Sequence, residues 1–198
     1  MNVEPSQEPV DLLIAIEEAS ETPIRPEYVE GMVVVPPRPD DSHNSSATEL
    51  SFQLHAAGIR STGLGNGFRS WLGDNHSHAL VIPDFYVMHR RPTDRDEAYR
   101  TTHKGWYPID LLALTGEVTF SNHDIDSGPK YRSYAAAGVP VYVLIHRQEA
   151  KAYAFSDPVP GDDPATAHYA TKVEVELGRP LPLPAPYPAL DTAVLLKG

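Results

Sequence analysis

The chain has 198 residues, a length that fits one domain over residues 1–198, and its 41% hydrophobic and 22% charged residues argue against intrinsic disorder. Its formal net charge of −11 argues against broad non-specific nucleic-acid binding, which needs Lys and Arg to displace counterions from phosphates. Cysteine is absent, which excludes disulfides, cysteine-bound metals and thiol catalysis; membrane-spanning runs and a signal-peptide pattern are also absent, so a cytoplasmic location is expected.

The first predicted elements are a helix, a strand and a second helix. Helix-forming residues with apolar side chains at helical spacing predict the first helix over 7–19, in an N-terminal segment of about residues 1–20. A β-branched run predicts a strand at 32–35. The second helix is expected over about 43–57, with Ser42 as its N-cap.

The central part of the chain contains three further predicted strands, 68–72, 79–88 and 109–120, of which the last two are strongly apolar. Segment 89–107 between those two is long, charged and irregular, so we expect it to form a mobile loop. We also expect 79–88 and 109–120 to form an antiparallel pair through this loop.

The remaining elements complete an α/β (α+β) pattern. A helix is expected over about 129–137, with Asp126 or Ser127 as its N-cap. Strands are predicted from apolar or alternating runs at 141–146, 150–155 and 168–177. This order of helices and strands favours a central mixed sheet that is flanked by helices.

Two carboxylates that interrupt the apolar strands are the clearest candidates for chemistry. In the expected antiparallel pair, Asp84 and Glu117 lie near each other at one end of the sheet. Buried carboxylates are costly unless they are paired, protonated or bound to a cation. Mg²⁺ takes one or two carboxylates and keeps several waters, so the pair predicts a site for Mg²⁺ or Mn²⁺.

A lysine and a third carboxylate are expected to join this pair. Lys130 follows the strand that carries Glu117, and its amine is expected within about 6 Å of at least one of the two carboxylates. Its ammonium would position the attacking water or stabilise charge in the transition state. Lys130 shares a helix face with Tyr134, and Glu27 stands just before the first strand.

The ordered set of these motifs resembles a known family. Segment 27–31 (EYVEG) is similar to that family's E-L-I-D-G motif, and His43 follows it after a strand and a proline-rich turn. Pro83-Asp84 resembles the P-D strand, and 117–142 resembles the segment E-V…D…K…Y…AGV-x-Y-W. On these motifs, about residues 20–195 resemble the Uma2 family, a mainly bacterial group within the PD-(D/E)XK nuclease superfamily.

The resemblance implies a restriction-endonuclease-like core over about residues 21–195, a mixed sheet flanked by helices. It also implies a Mg²⁺-dependent site that hydrolyses DNA phosphodiester bonds. That site would consist of Glu27, Asp84, Glu117 and Lys130, with Asp84 and Glu117 as the metal ligands.

The sequence departs from the pattern of the superfamily at three positions. The lysine of the E-x-K triplet is replaced by Thr119, and Lys130 on the helix is the expected substitute. Phe120 stands where relatives tend to have serine. Gly116 is unusual inside a strand, and it predicts a bulge or a close approach of neighbouring groups.

Two other functions stay open at this point. A catalytically silent nuclease-fold module would bind a protein partner or assemble as a homodimer through exposed strands, and the net charge of −11 favours this alternative. A histidine-based metal hydrolase would require three converging histidines, of which the His76-x-His78 pair supplies two.

The distribution of charge leaves room for a DNA surface. Residues 1–50 carry eleven acids and two bases, whereas 51–147 carry nine acids and ten bases. The basic side chains of segment 89–107 indicate either a solvated loop or a flap that contacts DNA. These side chains are Arg90, Arg91, Arg95, Arg100 and Lys104.

Overall fold

The structure is a computed structural model that describes residues 8–72, 76–119 and 123–196. The strands of this part have the following bounds: β1 Glu27–Val29, β2 Met32–Val34, β3 Thr62–Gly63, β4 Phe68–Leu72, β5 His76–Val81, β6 Phe85–Met88, β7 Tyr107–Pro108, β8 Leu112–Val118, β9 Val141–His146, β10 Lys151–Val159 and β11 His168–Glu176. The helices are α1 Pro9–Ala19, α2 Asp41–Ala56, α3 Asp94–Thr102, α4 His123–Ile125, a π-helical turn Asp126–Lys130 and α5 Tyr131–Ala136. Short 3₁₀ turns lie at Ile109–Leu111, Pro164–Thr166 and Ala193–Leu196.

The described strands are divided between two mixed sheets. The first sheet has the order β2-β1-β5-β4-β7, and the second has the order β11-β10-β9-β8-β6-β3. Strands β4 and β7 run parallel, as do β8 and β9, whereas the other pairs are antiparallel. Mixed sheets with flanking helices confirm the predicted fold class.

The apolar run 79–88 supplies one strand to each sheet. Strand β5 ends at Val81 and β6 begins at Phe85, with Pro83 in the connection. Proline lacks the N–H group that a strand interior needs, which explains why the continuous run breaks here. The expected antiparallel pairing with the later strand is confirmed for β6 and β8, where Phe85 lies opposite Gly116.

An irregularity in the pairing of β6 with β8 changes which face a residue presents. The register shifts between Val87 and Met88. As a result, Leu112 packs in the core cluster that contains Tyr134, whereas Leu114 and Val118 belong to the cluster beneath α2. If side chains alternated strictly along β8, Leu112, Leu114 and Val118 would share one face. A bulge adds one residue to the strand, so Leu112 faces the opposite side.

Helix α2 packs across the second sheet through a periodic stripe. Its side chains at Ala47, Leu50 and Leu54 are buried in the same cluster as Phe85. The N-cap is Asp40, whose carboxylate accepts a hydrogen bond from the N–H of the third helical residue at 2.7 Å. Ser42 is therefore inside the helix, because the acidic side chain two residues earlier already satisfies the first turn.

Segment 89–107 contains a helix, so the expectation of a mobile loop is wrong. The carboxylate of Asp96 accepts hydrogen bonds from the backbone and hydroxyl of Thr93, at 2.7 and 2.6 Å, and it also pairs with Arg90. These contacts hold the pKa of the Asp96 carboxyl well below its usual range, the guanidinium being the main cause. The Thr93-x-x-Asp96 spacing is a helix-start signal that the high charge of the segment obscured.

Two predicted boundaries lie outside the described residues. The first helix begins at Pro9 within the described part, and the predicted start at residue 7 is not covered. The same holds for Phe120 at the end of the predicted strand, since β8 is described to Val118. None of the helices in the described ranges combines the length and the apolar composition that crossing a bilayer requires.

Gly116 is confirmed as a position of close approach. A Cβ atom at this position would lie 2.0 Å from Cζ of Phe85, in the buried interface between β6 and β8. Gly116→Ala is therefore expected to lower the free energy of unfolding by about 1–3 kcal/mol, the usual cost of overpacking a core. Urea denaturation measures this change.

A matched control is Gly128→Ala, where the nearest atom to a new Cβ would be a guanidinium nitrogen of Arg132 at 3.8 Å. Its unfolding free energy should stay near that of the wild type or rise. Equal stability of both variants would contradict the close packing of Phe85 on Gly116.

Candidate active site

The end of strand β8 brings the two predicted metal ligands together. Glu117 lies on β8, and Asp84 lies in the connection between the two sheets. The backbone N–H of Val118 donates to Oδ2 of Asp84 at 2.8 Å, which ties the connection to the end of the strand. Both carboxylates line a single cavity of about 500 Å³.

Lys130 lies at the centre of a buried cluster of acids. Its Nζ is 2.7 Å from Oε1 of Glu117 and 3.1 Å from Oε1 of Glu27. The side chains of all three residues are no more than 3% exposed. The expected distance of less than about 6 Å between Lys130 and one of the predicted ligands is therefore confirmed.

Lys130 is the last residue of a π-helical turn in the helical segment that follows β8. The helix begins at His123 and widens over Asp126–Lys130, where Pro129 lacks an N–H group. The carbonyl of Asp126 accepts a hydrogen bond from the hydroxyl of Tyr142 at 2.8 Å. Single π turns inside α-helices are frequent at functional sites.

The interpretation of Asp126 as an N-cap is wrong. The helix already begins three residues earlier, and the Asp126 side chain is buried with Oδ1 3.9 Å from Nζ of Lys130. Asp126 lines the same cavity as the predicted site residues. It is thus a fourth carboxylate of the cluster, alongside Glu27, Asp84 and Glu117.

Neighbouring hydrogen bonds fix the orientation of two of these carboxylates. The hydroxyl of Tyr134 donates to Oε1 of Glu117 at 2.7 Å, as expected for a residue that shares a helix face with Lys130. Burial raises the pKa of the Tyr134 phenol well above its ordinary value, so the group stays a neutral donor. Glu27 accepts a hydrogen bond from the backbone N–H of Ile82.

The cluster contains more acidic than basic groups. Burial raises the pKa of Glu117 well above its ordinary value, although the charge of Lys130 opposes this change, and burial raises the pKa of Asp126 to about 7. Burial would lower the pKa of Lys130, but the charges of Glu117 and Glu27 outweigh it and raise that pKa. One ammonium therefore faces four carboxyl groups, of which Glu117 and Asp126 hold a proton more readily than an ordinary side-chain carboxyl.

His43 is a further residue of the site, which the sequence indicates only as part of the family motif. Its Nε2 lies 3.1 Å from Oδ2 of Asp84, and the side chain is mostly buried. Burial lowers the pKa of His43, but the hydrogen bond to Asp84 raises it above the ordinary value. The spacing of His43 with Ala47, Leu50 and Leu54 is the helical stripe that could have placed it on the face of α2 toward the sheet.

A histidine-based metal centre finds no support in the described part of the chain. No group of three or more His, Asp or Glu side chains is arranged there so that it could hold a metal ion. His76 instead pairs with Glu8, Nδ1 to Oε2 at 3.0 Å.

The acidic cavity nevertheless fits a hard divalent cation. Its acidic side chains offer carboxyl oxygens, the type of ligand that hard cations prefer. Mg²⁺ is usually held by one or two carboxylates, with waters and substrate phosphates completing its shell, so a complete protein cage is not needed. Asp84 and Glu117 are the residues that would hold it.

The basic side chains of segment 89–107 are partly occupied by local ion pairs. Arg90 pairs with Asp96, Arg100 lies 4.0 Å from Glu97, and Lys104 pairs with Asp11. The segment does not contribute to the lining of the acidic cavity. These contacts favour a solvated surface over a flap that reaches the site.

Removing the buried ammonium should destabilise the fold. Lys130→Met is expected to lower the free energy of unfolding by about 3–5 kcal/mol in EDTA, because Glu27 and Glu117 would stay buried without a counter-charge. The double variant Lys130→Met/Glu117→Gln should recover part of this loss, since one of the two carboxylates is then neutral. Urea denaturation gives both values.

Lys104→Met is the matched control, since Lys104 and Asp11 form an ion pair at the surface with about half of each side chain exposed. This variant should lose at most about 1 kcal/mol. A loss of the same size in Lys104→Met and Lys130→Met would show that the buried cluster is not the electrostatic unit described above.

Comparisons with known proteins identify the family and the fold of the chain. The Uma2 family model, described as "Putative restriction endonuclease", matches residues 10–194. A similar solved structure is that of "a putative nuclease belonging to DUF820" from Anabaena variabilis ATCC 29413, with 16% sequence identity and a TM-score of 0.61. The similarity covers 92% of this chain and 96% of that chain, and it shows a shared fold. No curated protein matches.

Proposed function

The chain belongs to the Uma2 family, as its motifs indicated, and on this premise we propose that it is a metal-dependent endonuclease that hydrolyses DNA phosphodiester bonds. Asp84 and Glu117 would hold Mg²⁺ or Mn²⁺, and Lys130 would act on the water or the phosphate. Glu27 would hold the lysine in position.

The observation that carries this proposal is the position of the Lys130 ammonium. It lies 2.7 Å from Oε1 of Glu117 and lines the same cavity as Asp84. In the superfamily pattern, the lysine of the E-x-K triplet follows the glutamate on the same strand. Here the lysine comes from a helix, and Thr119 occupies the position of the usual lysine.

Hydrolysis requires a water oxygen to attack phosphorus while the bond to the leaving oxygen breaks, and overall one proton of the water ends on the leaving oxygen. Negative charge grows on the phosphoryl oxygens during this displacement. The ammonium of Lys130 supplies a fixed positive charge that needs no reorganisation during the reaction. Glu27 and Tyr134 restrict the movement of Lys130 and Glu117, respectively. The bound metal would add Lewis-acid stabilisation of the phosphoryl group.

Plasmid nicking in Mg²⁺ or Mn²⁺ tests the proposal. The wild type should nick supercoiled DNA, and Asp84→Asn and Glu117→Gln should each reduce the rate by at least about 100-fold, a typical loss for a charge-stabilising group. Both substitutions preserve side-chain size and remove the negative charge. Circular dichroism should show that both variants stay folded.

Glu18→Gln is the control, because it removes an acid from the exposed surface of α1, outside the acidic cavity. It should nick at the wild-type rate. Equal nicking by the wild type and Asp84→Asn would assign the activity to a contaminant. Absence of nicking by the wild type in either metal would favour the alternative, a silent nuclease-fold module for protein interaction or homodimer assembly through exposed strands.

A further inference from the structure

Two arginines at the acidic cavity stand out against the charge of their surroundings. The first fifty residues contain eleven acids, and their two basic residues are Arg25 and Arg38. Both line the cavity that contains Glu117 and Lys130. The basic side chains of an otherwise acidic segment are thus concentrated at the site where phosphate would bind.

The two arginines occupy the rim of the cavity, above a buried floor. Glu117 and Lys130 are 2% and 3% exposed, whereas Arg25 and Arg38 are exposed. The guanidinium of Arg25 donates to the carbonyl of Gly65, which also lines the cavity. A site with a recessed acidic floor and a cationic rim suits a substrate whose phosphates extend outward from the point of cleavage.

Prolines and apolar side chains form part of the lining between rim and floor. Four of the lining prolines lie in the two segments that carry the arginines, and their fixed φ angles limit movement of these segments. These prolines are Pro23, Pro36, Pro37 and Pro39. Ile24 and Leu64 add apolar surface, and Asn44 adds an amide. Apolar walls with a few polar groups are typical of pockets that hold one small ligand.

The size of the cavity limits what can reach the floor. About 500 Å³ lies within the range of roughly 300–1,000 Å³ for pockets that enclose a ligand the size of one nucleotide. Duplex DNA is stiff, with a persistence length of about 50 nm, so a paired strand follows such a recess only at an energetic cost, which is lower where the strands are locally unpaired, as in negatively supercoiled plasmid. An unpaired nucleotide can enter, because the cost of extruding a base is smallest when it has no partner.

We propose that the site takes an unpaired DNA strand, which inserts one nucleotide into the cavity while Arg25 and Arg38 bind the phosphates on either side of it. This inference rests on the proposed nuclease function and specifies its substrate class. Guanidinium groups suit this role because they bind phosphate oxygens with two parallel hydrogen bonds.

Fluorescence anisotropy with a labelled oligothymidylate tests the inference without requiring cleavage. In Ca²⁺, the wild type should bind the single strand more tightly than a blunt duplex of equal length. Arg25→Gln and Arg38→Gln should each weaken binding of the single strand by roughly tenfold, since each loses a charge-assisted hydrogen bond. The slope of log K against log salt should become shallower by about 0.7 for each variant.

Arg95→Gln is the matched control, because Arg95 is an exposed arginine on α3 that does not line the cavity. Its binding should equal that of the wild type. Unchanged binding in both rim variants, a preference for the duplex, or no binding of the single strand would overturn the inference.

The two proposals fail in distinguishable ways. Plasmid nicking that depends on Asp84, together with rim variants that bind like the wild type, would reject the single-strand substrate and keep the nuclease. If single-strand binding depends on Arg25 and Arg38 but no cleavage occurs in Mg²⁺ or Mn²⁺, the single-stranded ligand is supported and the nuclease activity is rejected.

Discussion

The burial of one ammonium among several carboxylates is the constraint on which the rest of this structure depends. Lys130 lies within 3.1 Å of both Glu27 and Glu117, and all three side chains are shielded from water. A buried charge is tolerated only when partners surround it, so the elements that carry these residues must meet at one point. Loss of the Lys130 ammonium, or of the carboxylates that surround it, would leave an uncompensated charge in the core.

Three features of the fold bring these groups to one point. The apolar run 79–88 is interrupted at Pro83 and supplies one strand to each sheet. Asp84 therefore lies in the connection between the sheets, beside the end of β8. Strand β1, which belongs to the first sheet, starts with Glu27. The π-helical turn then supplies both Asp126 and Lys130. The site thus lies where the two sheets and the helical segment converge, and each contributes charge.

The sequence predicted the neighbourhood of Asp84 and Glu117 because hydrophobic runs determine strand pairing. The position of Lys130 followed from the short distance along the chain between its helix and β8. Asp126 was misassigned because an acidic residue before a proline-containing turn is typical of a helix start, and a π turn has no comparable local signal. The contact of His43 with Asp84 depends on long-range packing of α2 on the sheet, which spacing alone only suggests.

We propose that the carboxyl groups around Lys130, with Asp84 and Glu117 as ligands, form a site for one divalent cation. Isothermal titration calorimetry with Mg²⁺ tests it most directly. We expect one binding site in the wild type, loss of that site in Asp84→Asn, and equal or tighter binding in Lys130→Met, because a charge that repels the metal has been removed. Absence of binding by the wild type, or equal binding by Asp84→Asn, would contradict it.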